Sequence, residues 1–280
     1  MLVCLTLFIA SCGTVPKTTV LTVPEGPPIA EVNDSLYAQV LERAISPSGT
    51  IEYPELISDT DLSEYLHEIA KVQLDAFVSR AQQLAFWINV HNAYVLDLIR
   101  SNWNNGATRS IDDIPGFRYA NVIWVGGERY SLHGIEHEII ERQFREPRAF
   151  FALFDGSRSS PPLLRVPYTD QSLSDQLDAQ LKGFLADSTK NYLDRRSNTL
   201  YLSRIFETYS NDLSEAAGGT VADFVRLFAP PKMAQWIARH HDVTISYLRY
   251  DYTINSTYAV PRNAPLYRPI PPRRATGGIR

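Results

Sequence analysis

Glu136 and His137 stand side by side in the segment YSLHGIEHEII, and the apolar run that follows opens into a loop carrying Asp155, Ser157, Ser159 and Ser160. An imidazole that meets a hydroxyl and a carboxylate is the set needed for acyl transfer. The ring takes the hydroxyl proton, the oxygen attacks a carbonyl, and the carboxylate orients the ring. In that reading His137 is the base, Ser160 or Ser157 is the nucleophile, and backbone amides near Gly156 stabilise an oxyanion. Glu136 and Asp155 compete for the orienting position. Successive residues of an α-helix point about 100° apart, which favours Asp155. The loop has no cysteine, and a serine needs a well-placed base and oxyanion donors to compensate for its far higher pKa. The competing expectation is that these groups satisfy one another and lock a helix to a strand, as most buried polar groups do.

His133-Gly134-Ile135-Glu136-His137 also has the H-x-x-E-H spacing of inverted zinc peptidases. Ser131 reads as a helix N-cap, Gly134 weakens the first turn, and no third ligand is signalled, so neither metal nor cofactor is expected. His240 and His241 fall at a helix C-terminus, where the dipole favours them. His91 lies in an apolar helix and reads as a packed core histidine.

The elements that must position these residues follow from punctuation and period. Asn33-Asp34-Ser35 caps a helix over LYAQVLERAI, and Asp59–Ile69 is helical by spacing. Leu74–Arg100 contains QLAFWINVHNAYVLDLI, apolar almost all round, which predicts a central buried helix. Thr50–Tyr53 reads as a short strand, and Ala120–Val125 with Glu128–Tyr130 as a hairpin over Gly126-Gly127. A helix is expected over Leu132–Phe144, a strand over Phe150–Phe154, and an amphipathic helix over Ser172–Ala186. Asn198–Leu202 is a strand, Thr220–Phe228 and Pro231–His240 are helices, and Val243–Ile254 alternates as a closing strand. The fold class is α+β, a mixed and largely antiparallel sheet flanked by helices.

Composition bounds the partners and the address. A formal charge of −4 provides no basic footprint for nucleic acid. Residues 1–11 form an apolar run ending in Ile9-Ala10-Ser11 before Cys12, the pattern of a lipoprotein signal peptide, although no Lys or Arg precedes Lys17. Cys12 is therefore the expected lipidation site. Gly13 after it directs the protein, by Gram-negative sorting, to the outer membrane facing the periplasm. Residues 12–33 are a Thr/Pro-rich tether, residues 34–260 the folded domain, and residues 261–280 a Pro/Arg-rich tail suited to an anionic envelope polymer. The sequence has two cysteines, Cys4 and Cys12. Loss of the first with the signal and acylation of the second exclude disulfides, cysteine-ligated zinc and a thiol nucleophile.

The blocks GTIEY (49–53), AFWINVHNAYVLDLI (85–99), YSLHGIEHEI (130–139), RAFFALFDGSRSSPPL (148–163), LSRIFETYSNDL (202–213) and YDYTIN (250–255) together resemble the domain of unknown function 547 family. The resemblance implies a fold related to papain-like or transglutaminase-like enzymes. Bacterial members are often secreted or lipoprotein-like, and plant members join the domain to a coiled coil used in protein interaction. It singles out Asn89 and Asn92 in the central helix, Glu136 and His137, and Pro161 after the loop. Asn89 thereby becomes a further oxyanion candidate, and Asn92, Glu136, Ser157 and Ser159 become candidate binding residues. The family's loop is similar to Asn-Cys-Gly-x-x-Ser-Cys-Pro-Pro, so Asp155 and Ser160 stand where the two cysteines would be. Two functions are expected in parallel: a hydrolase or acyl transferase acting on a peptide- or amide-like substrate, and a non-catalytic module binding a protein or envelope polymer.

Overall fold

The segment apolar on every side forms the longest helix, α4 (Arg80–Ser101), and every residue from Leu84 to Arg100 within it is buried. Ser79 caps it by accepting from the Gln82 amide. The computed structural model describes residues 15–258. The expected signal segment 1–11, the Cys12 lipidation site and the 261–280 tail lie outside the described residues. Helices α2 (Tyr53–Leu56) and α3 (Thr60–Lys71) pack against α4, and α1 (Asp34–Ala44) packs on both of them, with Asn33 and Asp59 as side-chain caps.

Two charges inside α4 hold the amino-terminal strap in place. Asp97 is fully buried and accepts from the Thr18 hydroxyl at 2.7 Å, the Thr19 amide at 2.9 Å and Arg100 Nε at 3.1 Å. Arg100 also donates to the Leu56 and Asp59 carbonyls and to the Thr19 and Ser63 hydroxyls. The described part of the expected tether is therefore pinned against the body, a bent segment without regular secondary structure in which Val20 is buried.

Strands β1 (Ile123–Val125) and β2 (Glu128–Tyr130) form the expected antiparallel hairpin. Gly134–Phe144 is helical as expected, but as a π-helix, a rare form frequent at functional sites. Helix α5 (Leu173–Ala186) precedes β3 (Tyr192–Asp194) and β4 (Thr199–Leu202), which pair antiparallel. Helices α6 (Ile205–Thr208), α7 (Ser210–Ala217), α8 (Val221–Phe228) and α9 (Pro231–Arg239) lead to β5 (Thr244–Tyr247), which is parallel to β4. The class is α+β, with small antiparallel and mixed sheets flanked by helices.

Three expected strands differ. Phe150–Phe154 is not a strand: Pro147–Phe151 makes a 3-10 turn and the rest is loop. All of Ala149–Phe154 is buried, and a short run buried on every side carries no period to distinguish strand from turn. Thr50–Tyr53 reduces to Ile51, which bridges Ile45 and Ser256, because Tyr53 and Pro54 already open α2. The closing strand stops at Tyr247, and its continuation bridges Thr253 to Ser110 and Ile254 to Ser157.

Buried apolar side chains fall into two clusters, one around α4 and one around Phe151, Phe184, Phe206 and Phe224. Phe150 and Phe151 belong to the second, whereas Leu153 and Phe154 belong to the first. The 3-10 turn thus stitches the two cores together.

Candidate functional site

The 155–160 loop is tight because Gly156 has φ +87° and a Cβ there would sit 2.2 Å from Ile99 Cδ1. The closing segment wraps it, with Asn255 N donating to the Gly156 carbonyl and Arg158 N donating to that of Thr253. Within the loop, Asp155 gathers the donors. Ser157 donates to Asp155 Oδ1 from its amide at 2.9 Å and its hydroxyl at 2.6 Å. Oδ2 accepts from Arg118 Nη2 at 3.0 Å and the Tyr250 hydroxyl at 2.8 Å. Four donors match the acceptor capacity of a carboxylate. Burial, and next the Asp155 charge, pushes the Tyr250 hydroxyl well above its ordinary range, so it stays a donor.

The serines serve the loop. Ser160 is 1% exposed, and its hydroxyl oxygen accepts the Asp155 amide at 2.8 Å. Ser159 Oγ accepts the Asp251 amide at 2.8 Å. The asparagines of α4 are clasps. Asn89 donates to the Tyr168 carbonyl and accepts its amide, each at 2.9 Å, and Asn92 donates to the Ala152 carbonyl at 3.0 Å and accepts the Phe154 amide at 2.9 Å.

The π-helix contributes the acid and the base. Glu136 Oε1 lies 2.8 Å from Nε2 of the fully buried His91, whose Nδ1 faces Asn92 Oδ1 at 3.2 Å. The two backbone partners of Asn92 fix its Oδ1 as an acceptor, so His91 Nδ1 is the donor in that contact and Nε2 faces the Glu136 carboxylate. Burial alone would raise the Glu136 carboxyl. The His91 hydrogen bond and charge, with Arg118 and His137 nearby, outweigh it and hold the group below the usual carboxylate range. His137 Nδ1 is 2.5 Å from Glu141 Oε2, while Nε2 is 3.9 Å from Glu136 Oε2, beyond hydrogen-bond reach. The carboxylate that orients His137 is therefore Glu141, one turn on, and neither Asp155 nor Glu136. The ring also packs between His133, with centroids 4.4 Å apart, and Tyr209 at 5.9 Å.

A cleft of about 310 Å³ collects Glu136, His137 and Asp155 with Arg118, Arg204 and Tyr209. Asn89, Asn92, Ser157, Ser159 and Ser160 do not line it. Among the described residues no serine hydroxyl bonds to His137, so the structure does not assemble the expected serine–histidine pair. Among them, too, no cluster of three His, Cys, Asp or Glu side chains is arranged to hold a metal. Sequence reasoning missed Arg118, Glu141, Arg204, Tyr209 and Tyr250. The i, i+4 spacing of His137 and Glu141 was a readable signal. Arg118 had none, since it meets Asp155 only through the fold.

No described helix is long and apolar enough to cross a membrane. No curated protein and no solved structure matches the chain. Residues 76–185, which carry α4, the hairpin, the π-helix, the 155–160 loop and nearly all of α5, match a family model described as Protein of unknown function, DUF547.

Proposed function

We propose that this chain is an envelope lipoprotein whose cleft binds a peptide- or amide-bearing ligand without cleaving it. One observation carries the reading: the hydroxyls of Ser157 and Ser160 are both committed to Asp155 and its amide, away from His137. A nucleophile must lie within hydrogen-bond reach of its base, and no described hydroxyl does. Asp155, standing where the resemblance puts a cysteine, is saturated and acts as a floor for the cleft. The hydrolase or acyl-transfer reading survives in one form, favoured by the Glu141–His137 pair, which leaves Nε2 free to take a proton from water.

A fluorophosphonate probe and p-nitrophenyl acetate separate the two. The expected result is no labelling, and no turnover that His137→Ala abolishes. Labelling lost in Ser160→Ala would establish a serine enzyme, and turnover lost in His137→Ala alone would establish the water-directed one. The address, outer membrane facing the periplasm through a lipid at Cys12, rests on the Ile9-Ala10-Ser11-Cys12 pattern. Incorporation of an alkyne palmitate analogue, abolished in Cys12→Ser, tests it. A net charge of −4 disfavours nucleic acid as the partner.

A further inference from the structure

Arg118 reaches the cleft as a cation aimed by its surroundings. Asp155 holds it through Nη2 at 3.0 Å and is itself fixed by Ser157 and Tyr250, so the carboxylate has no acceptor site left for a ligand. The Tyr252 ring lies 5.9 Å from the guanidinium carbon. Among the described residues the Asp155 bond is the sole side-chain hydrogen bond Arg118 makes, which leaves most of a guanidinium's five donors open on a side chain that is 30% exposed. Arg204 lines the same cleft, its Nε 3.3 Å from Glu207. Glu136 Oε2 offers the complementary acceptor, since His91 occupies Oε1.

We infer that the cleft recognises the free carboxylate end of a short peptide, forked onto Arg118 with Arg204 beside it, while the terminal amide N–H donates to Glu136 Oε2. The inference rests on the reading of the cleft as a binding site. A planar carboxylate accepts two parallel bonds from one guanidinium, a geometry lysine cannot supply. A dianionic phosphate would meet the carboxylates of Glu136 and Asp155 in the same wall, whereas a monoanion with an adjacent N–H uses both signs of charge. The volume of about 310 Å³ is at the small end for ligand sites, suited to a chain terminus.

The test is calorimetric titration of the full chain with N-acetyl-Ala-Ala, with its carboxamide, and with inorganic phosphate. The free acid is expected to bind at least about tenfold more tightly than the amide. Arg118→Lys should remove that preference with the melting temperature retained, and Arg204→Gln, on a side chain 57% exposed and tolerant of change, should weaken the acid several-fold. Equal affinity for acid and amide would leave a binding cleft and overturn carboxylate recognition. Phosphate binding more tightly than the acid would overturn it as well, and no binding of either peptide would overturn the binding reading together with it.

Discussion

Gly127 and Gly156 have almost the same φ, +85° and +87°, in different surroundings. A Cβ at Gly127 meets nothing within 4 Å, whereas at Gly156 it meets Ile99 Cδ1 at 2.2 Å, Val95 Cγ1 at 3.3 Å and Ile111 Cγ2 at 3.5 Å. Alanine at either site incurs the left-handed penalty of about 1–2 kcal/mol, partly offset by a stiffer unfolded chain, so Gly127→Ala is expected to cost about 1 kcal/mol. Gly156→Ala adds overpacking of about 1–3 kcal/mol, because Ile99 and Val95 are fully buried in a close-packed interior. Its total is about 3 kcal/mol. Urea titrations followed by circular dichroism and tryptophan fluorescence give both values, with equal slopes as the check that only stability changed. Equal losses for the two variants would show that Ile99 yields freely, and the rigid seat assigned to Asp155 would be refuted.

Other substitutions probe the scaffold. Asp97→Ala leaves the Arg100 guanidinium buried without its carboxylate and should cost about 3–5 kcal/mol in chemical denaturation, with faster tryptic cleavage after Lys17 as the strap loosens. An unchanged cleavage rate would place the strap's anchorage elsewhere. Asp34 is raised from 3.8 to about 6 by burial, with Glu31 and Glu68 adding to it against the Tyr65 hydrogen bond. Its proton binds the folded state more tightly, so the favourable contribution is complete below pH 3.8 and is lost as pH rises through about 6. Asp34→Asn should therefore stabilise the protein by about 1–2 kcal/mol at pH 7.5, allowing for partial exposure, and by nothing near pH 3.5. Equal effects at both pH values would contradict the assignment.

The cap expected at Asn33 stands before a periodic face and does cap α1, whereas Asp59–Ile69 and Thr220–Phe228 were legible from spacing, and the structure adds Asp59 and Thr220 as the caps of α3 and α8. The α4 segment was legible for another reason, since a helix in the centre of a core has no polar face to hide. Phe150–Phe154 misled because burial on all sides erases the alternation that defines a strand. The site was legible in part. Glu136, His137 and Asp155 share the cleft, but the roles assigned to them assumed α-helical angles; the i, i+4 spacing of His137 and Glu141 could be read, whereas the wider π turn is no property of the local pattern. Arg118 and Tyr250 reach Asp155 from 37 and 95 residues away, a convergence that only the folded chain creates.

The cleft sits on the seam between the two apolar clusters. Glu136 and His137 come from the π-helix, whose Ile135, Ile139 and Ile140 belong to the first cluster, and Arg204, Thr208 and Tyr209 come from the stretch around α6, which packs in the second. Such clusters can open separately, as cooperative units with their own free energies. Opening the second would dismantle one wall of the cleft while α4 and its clasps stayed folded. A ligand held across the seam would bind only the closed form, so its binding free energy would appear as added protection of backbone amides in α6–α8 against hydrogen exchange, in proportion to ligand concentration over Kd. Occupancy would then be recorded in the slowest-opening amides of a region far larger than the site itself.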